Sequence, residues 1–71
     1  MIIYTDHAEE RTIRRFIKKG WIENAIKNPD ILLDVPYGRK QAIKKMNSGE
    51  ISVIYVKEDS NFIVITVFWG R

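Results

Sequence analysis

The hydrophobic periodicity of this chain changes at Asn28-Pro29, and the change separates a helical first part from a β-rich second part. Before this point, apolar residues recur at the three- and four-residue spacing of amphipathic helices. After it come short runs rich in Ile, Val, Tyr and Phe, separated by turn signals such as Pro36-Tyr37-Gly38 and Asn47-Ser48-Gly49. The pattern predicts an α+β fold in which two N-terminal helices pack on a twisted, mainly antiparallel sheet of about four strands.

The boundaries of the elements follow from caps and turns. We expect a short N-terminal edge strand over residues 2–4 and a first helix over residues 6–19, with Thr5 or Asp6 as its N-cap and Gly20 as its C-terminal cap. A short second helix is predicted over residues 21–26, with Trp21 packed near the turn between the helices. The four later strands are expected at Ile31–Val35, Arg39–Met46, Ile51–Val56 and Phe62–Trp69. The last run is apolar at nearly every position, which is typical of a central strand or of a strand paired at an interface.

Length and composition limit the classes of protein that fit. The 71 residues suffice for one small α+β domain over residues 1–71. The absence of cysteine excludes disulfides and thiolate metal sites, and a single histidine excludes a histidine-rich metal site, so we expect no metal and no cofactor. No apolar run approaches the roughly 18 residues that cross a bilayer, and the N-terminus lacks a signal-peptide pattern. We therefore expect a cytoplasmic protein with no membrane association.

Positive charge is concentrated in two segments. Twelve Lys and Arg against nine Asp and Glu give a formal charge of +3. One face of the first predicted helix, within a sector of about 100°, carries His7, Arg11, Arg14, Arg15 and Lys18. The opposite, core-facing side carries Ala8, Thr12, Ile13, Phe16 and Ile17. The strand after Gly38 contributes further cations at Arg39, Lys40, Lys44 and Lys45. Two basic elements that face one groove would suit an anionic partner such as RNA.

Several short motifs carry a resemblance to a known family. The motifs are His7-Ala8-x-x-Arg11, then Ile22-Glu23-x-Ala25-Ile26-x-Asn28-Pro29, then a Gly-Arg-Lys strand, and a closing hairpin that ends Ile65-Thr66-Val67-Phe68. Together they resemble the small prokaryotic family named domain of unknown function 4258. That family looks like a relative of the RelE- and ParE-type toxins and of the barnase-like ribonucleases. The segment after His7 reads Glu9-Glu10-Arg11-Thr12, where the family pattern has a basic, methionine-containing motif.

The resemblance implies a toxin-like, metal-independent endoribonuclease. Metal-free RNA cleavage needs a base for a 2′-hydroxyl, an acid for the leaving oxygen, and donors that stabilise the phosphorane charge. His7 is the candidate acid or base, and Arg11 and Arg39 are candidate phosphate clamps. Tyr55 is a candidate proton-transfer or base-stacking group, and Thr66 a hydrogen-bond donor. The candidate RNA-binding residues are Arg14, Arg15, Lys18, Lys40 and Lys44.

A different class of function stays open. The chain could be a non-catalytic module that binds nucleic acid or an antitoxin-like protein, and that forms a homodimer through its apolar C-terminal strand. The helix cations could equally form a solvated face paired with Glu9 and Glu10, and Tyr55 could be a core aromatic. Geometry separates the two classes: the enzyme hypothesis requires His7, Arg11, Arg39 and Thr66 to converge on one surface.

Overall fold

The chain folds as one strand, two helices and four further strands, which is the predicted order. A computed structural model describes all 71 residues. The elements are β1 (Ile2–Tyr4), α1 (Asp6–Arg14), α2 (Lys19–Lys27), β2 (Ile31–Val35), β3 (Arg39–Met46), β4 (Gly49–Glu58) and β5 (Asn61–Trp69).

All five strands belong to one mixed sheet, in the order β1-β5-β4-β3-β2. The last four strands form consecutive antiparallel hairpins, and β1 adds to β5 in parallel through the pairs of Ile2 with Phe62 and Tyr4 with Val64. The predicted α+β architecture with a short N-terminal strand is therefore confirmed. β5 has neighbours on both sides along its first half, which fits the apolar character of that run.

The hydrophobic core lies between the two helices and one face of the sheet. Its strand residues alternate along β4 and β5, as in the fully buried Ile51 and Val53, and α2 contributes the fully buried Ile22 and Ala25. Each such Ile or Val side chain stabilises the fold by roughly 1.5–3 kcal/mol when removed from water. α1 packs mainly against β5 and β1, and α2 packs against β4 and β3. The two helices thus cover different parts of the same sheet face.

α1 begins at the predicted N-cap, Thr5. The Thr5 hydroxyl oxygen accepts the N–H of Ala8 at 3.1 Å, which satisfies a donor of the first turn. The Thr5 backbone N–H donates to the carbonyl of Val64 at 3.1 Å, and its hydroxyl lies 3.0 Å from the same oxygen. The start of α1 is therefore fixed directly to β5.

α1 ends five residues earlier than predicted, at Arg14. The Ile17 N–H donates to the Thr12 carbonyl at 3.0 Å and the Phe16 N–H donates to the Ile13 carbonyl at 3.3 Å. These two bonds, with Phe16 at a φ of 55°, form a Schellman C-cap. Gly20 lies instead in the first turn of α2, so its predicted role as a cap is wrong.

The early end of α1 changes which residues share its faces. Ile13 and Phe16, predicted to face the core, are 77% and 85% exposed. Arg15 and Lys18 no longer lie on the basic face, because the Schellman turn redirects the chain before they are reached. Arg15 turns inward and donates from Nη1 to the Val67 carbonyl at 2.8 Å, and Lys18 is the N-cap of α2.

Two tryptophans hold the connection between the helices. The Trp69 indole N–H donates to the Arg15 carbonyl at 2.7 Å, at the end of α1. The Trp69 ring meets the Trp21 ring edge-to-face, with centroids 6.1 Å apart. Trp21 therefore packs near the turn between the helices, as predicted, and Trp69 anchors that turn to the last strand.

Candidate active site

Three of the predicted catalytic residues meet at the surface where α1 crosses β5. The His7 Nε2 atom lies 3.2 Å from the Thr66 Oγ1 atom, although the two residues are 59 positions apart in sequence. The Arg11 Nε–H donates to the same His7 Nε2 atom at 3.4 Å. His7 is exposed, and Arg11 and Thr66 are half-buried. A titratable imidazole, a hydroxyl and a guanidinium are therefore presented together to solvent.

The contact between His7 and Thr66 depends on a bulge in β5. Ile54 pairs with Thr66 and the next residue of β4, Tyr55, pairs with Val64, so Ile65 has no partner across the ladder. The Thr5 hydroxyl lies 3.2 Å from the Ile65 carbonyl, directly at this irregularity. A bulge redirects the side chains beside it, and the anchor at Thr5 places the first turn of α1 against them.

Thr5 and the bulge are the positioning elements that the sequence did not reveal. Thr5 was identified as a cap alone, and nothing in the local sequence of β5 indicates an extra residue there. The bulge becomes visible only when β4 and β5 are aligned residue by residue in their paired register. The position of Thr66 opposite His7 is therefore a property of the folded sheet.

The bond from Arg11 fits one tautomer of the imidazole. A guanidinium has donors and no acceptor, so Nε2 can accept from Arg11 only as the unprotonated nitrogen of a neutral ring. We accordingly assign the ring proton to Nδ1. Nε2 has one lone pair, which the Arg11 N–H and the Thr66 hydroxyl both approach. This state is the one in which His7 can take a proton.

The basic face of α1 consists of His7, Arg11 and Arg14, which lie on three successive turns of the helix. Arg11 lies 3.6 Å from the Glu10 carboxylate, and Arg14 is exposed at the last position of the helix. The Glu10 carboxylate is solvent-exposed, and exposed ion pairs of this kind are weak. The Arg11 guanidinium therefore stays accessible to an anion that binds it more strongly.

Two predicted catalytic residues lie away from this cluster. Tyr55 is only 5% exposed and packs edge-to-face on Phe62, with ring centroids 5.6 Å apart, inside the core. Arg39 begins β3 and lies over the ring of Tyr37 at 5.9 Å. β3 is two strands from β5, which corresponds to roughly 10 Å across the sheet. The structure thus brings together His7, Arg11 and Thr66 but not Arg39 or Tyr55.

Two cations of β3, Lys40 and Lys44, are engaged within the chain. Lys40 pairs with Asp34 on the neighbouring strand, and the hydrogen bond and charge of that carboxylate raise the pKa of Lys40. Lys44 donates to the Asn28 carbonyl at 2.8 Å. Because β3 is covered by α2 whereas α1 packs on β5, the two basic elements do not line one groove, contrary to expectation.

The one cavity of the structure lies elsewhere. It has a volume of about 340 Å³ and is lined by Met1, Ile2, Glu23, Ile26, Lys27 and Phe62. None of the three clustered residues contributes to it, so a substrate of the cluster would bind on an open surface. No group of three His, Asp or Glu side chains is arranged to hold a metal ion. Neither helix has the length and apolar character needed to cross a bilayer.

Comparison with known protein families identifies one family whose model matches almost the whole chain. The family model described as Domain of unknown function (DUF4258) matches residues 4–69, which include His7, Arg11 and Thr66. The chain belongs to this family. No curated protein and no solved structure matches it. The DUF4258 match covers both partners of the contact between α1 and β5, and it leaves a kinship with RelE- or ParE-type toxins or barnase-like ribonucleases as a hypothesis.

Proposed function

We propose that this DUF4258 protein is a metal-independent endoribonuclease, toxin-like in its use of a basic surface. The observation that supports the proposal is the placement of the His7 Nε2 atom between a hydroxyl and a guanidinium on exposed surface. General-base catalysis requires a group that can accept a proton near neutral pH, and histidine is the side chain best suited to it. RNA is the substrate because its 2′-hydroxyl supplies an internal nucleophile.

The proposed reaction begins at His7. Nε2 takes the proton of a 2′-hydroxyl, whose oxygen attacks the adjacent phosphorus, and the bond from phosphorus to the 5′-oxygen breaks. The products are a 2′,3′-cyclic phosphate and a 5′-hydroxyl. The cluster has no second proton-transfer side chain, so the protonated imidazole or water supplies the proton to the leaving oxygen.

Arg11 and Thr66 would act on the phosphate. The Arg11 guanidinium exchanges its long bond to His7 for a shorter, charge-assisted bond to a non-bridging oxygen. The Thr66 hydroxyl donates to a second oxygen or orients the imidazole. Both bonds strengthen as negative charge develops, which is the condition for lowering the barrier. Arg14 adds a phosphate contact at the neighbouring nucleotide.

A second function is favoured by one observation. Tyr55 is buried, so the cluster holds a single group able to transfer protons. A surface of this kind also fits a non-catalytic module that binds RNA, or an acidic antitoxin-like protein, through Arg11 and Arg14. In that case the same residues supply affinity without bond cleavage.

The two functions are separated by an RNA cleavage assay in excess chelator. Labelled RNA of mixed sequence is incubated with the wild type and with His7→Ala, and an all-deoxy strand serves as a substrate control. Loss of the base should lower the cleavage rate by roughly 10²–10⁴-fold. Lys57→Ala is the matched control, since it removes an exposed cation on β4, away from the cluster.

Each result has a definite meaning. Cleavage by the wild type and by Lys57→Ala, with none by His7→Ala, would support the nuclease and its base. Full activity in His7→Ala would refute the mechanism. Intact RNA in every lane, together with salt-dependent binding that Arg11→Ala weakens, would favour the binding module.

A further inference from the structure

β2 is an open edge of the sheet. It pairs with β3 from Ile31 through Val35 and has no strand on its other side. Exposed edges are normally protected by lysines, prolines or bulges. The five residues of β2 include no lysine, proline or bulge, their one charged residue is Asp34, and Leu32 and Leu33 are 49% and 41% exposed. The strand therefore presents unpaired backbone groups together with apolar side chains.

We propose that β2 pairs antiparallel with β2 of a second copy of this chain, around a two-fold axis at Leu33. Such pairing joins the two sheets into one continuous sheet through backbone hydrogen bonds. The helical layer does not obstruct it, because α2 makes its contacts with β3 and β4. The proposal is independent of the nuclease function, since β2 lies at the opposite end of the sheet from β1 and β5.

The side chains of β2 complement themselves in this register. With Leu33 opposite Leu33 of the other copy, Ile31 lies opposite Val35 of the other copy. These residues share the sheet face away from the helices, because their neighbour Leu32 pairs with the core residue Ala42. Every cross-strand pair on that face is then apolar.

Charge disfavours the neighbouring registers that keep the helices of both copies on one side of the sheet. A one-residue slip would turn the second copy over, so that its helices lie on the opposite side of the joined sheet. A shift by two residues in one direction places Asp34 directly opposite Asp34 of the other copy, and a two-residue shift in the other direction places Asp30 opposite Asp34. Like charges directly opposite each other are destabilising. In the register centred on Leu33, Asp34 faces Leu32 and keeps its ion pair with Lys40. The pattern of β2 thus favours one register and one occupant.

Single cysteines test this register, because the chain has no cysteine of its own. Directly opposite residues have Cα atoms about 4.5–5.5 Å apart, which a disulfide can span. The two copies of Leu32 would be about 8 Å apart, beyond disulfide reach. We therefore expect Leu33→Cys to form a covalent dimer under mild oxidation and Leu32→Cys, a matched control of similar exposure, to remain monomeric.

Sedimentation equilibrium provides the second readout. The wild type should shift to twice the monomer mass as its concentration rises, and Leu33→Lys should stay monomeric, because it places two ammonium groups opposite each other. The circular dichroism of Leu33→Lys should match the wild type, since Leu33 lies at an exposed edge. A wild type that stays monomeric at the highest concentration would overturn the proposal. Equal cross-linking of the two cysteine variants would overturn it too.

Discussion

Replacement of Phe16 by glycine should leave this protein more stable than replacement by alanine. Phe16 occupies the position after the C-cap of α1, where the backbone is left-handed, with a φ of 55°. Its N–H and that of Ile17 close the two hydrogen bonds of the Schellman motif. Glycine is the residue that usually fills this position, because a Cβ atom is strained there. Phe16 is 85% exposed, so removal of its phenyl ring loses few contacts.

The magnitude follows from two opposing terms. A non-glycine residue in the left-handed region costs about 1–2 kcal/mol. Glycine loses about 0.5–1 kcal/mol more conformational free energy on folding. Both Phe16→Gly and Phe16→Ala lack the phenyl ring, so the contacts of the ring cancel when the two variants are compared. The glycine variant should therefore be more stable than the alanine variant by roughly 0.5–1 kcal/mol, which in a domain of this size raises Tm by about 2–8 °C.

Thermal and urea unfolding of both variants, followed by circular dichroism, measure this difference. The urea m-value should not change, because the surface exposed on unfolding is nearly the same. A glycine variant no more stable than the alanine variant would show that the left-handed strain at Phe16 is absent, and would remove the Schellman cap as the reason that α1 ends at Arg14.

Three further substitutions test other parts of the structure. Burial, together with the charges of Glu23 and Glu9, raises the pKa of Tyr4 from 10.0 to about 12. Wild-type stability should therefore fall as pH rises from about 10 to 12, because the unfolded chain loses this proton first. Tyr4→Phe should remove that pH dependence, as measured by urea unfolding at a series of pH values. Ser52→Ala should lower the free energy of unfolding by about 1–3 kcal/mol, because it removes the buried hydroxyl that donates to the Gly70 carbonyl and accepts from the Gln41 amide. The same change at exposed Ser60 should have little effect. If the proposed mechanism holds, Thr66→Val should slow RNA cleavage by roughly 2–10-fold in single-turnover kinetics while Thr66→Ser retains the rate, and equal rates in both variants would argue against a role for the hydroxyl.

The sequence predicted the second half of the fold better than the helices. Pro29, the Pro36-Tyr37-Gly38 turn and the Asn47-Ser48-Gly49 turn are local signals, and the strands that they separate occur where expected. The end of α1 has no such signal, because Phe16 occupies the place of the usual glycine. Gly20 has the residue type expected after a helix C-terminus but lies in the first turn of α2. The basic face of α1 was therefore predicted one turn too long.

The candidate site was predictable in its residue types and not in its geometry. His7 and Arg11 share a helix face through their four-residue spacing, which is a local property. Their proximity to Thr66 depends on the parallel pairing of β1 with β5 and on the bulge at Ile65, which are long-range. The burial of Tyr55, in contrast, was accessible from the alternation of Ile51, Val53 and Tyr55 along β4.

The contact between His7 and Thr66 also has a consequence for the nascent chain. Because the two residues are 59 positions apart, the cluster cannot form until synthesis has passed through β5. At a translation rate of about 5–20 residues per second, α1 is synthesised roughly 3–12 s before its partner strand. During that interval the imidazole has no hydroxyl beside it and β1 has no strand to pair with. The site therefore forms only after β5 has been added to the chain, and α1 folds for that period without the contacts that place His7.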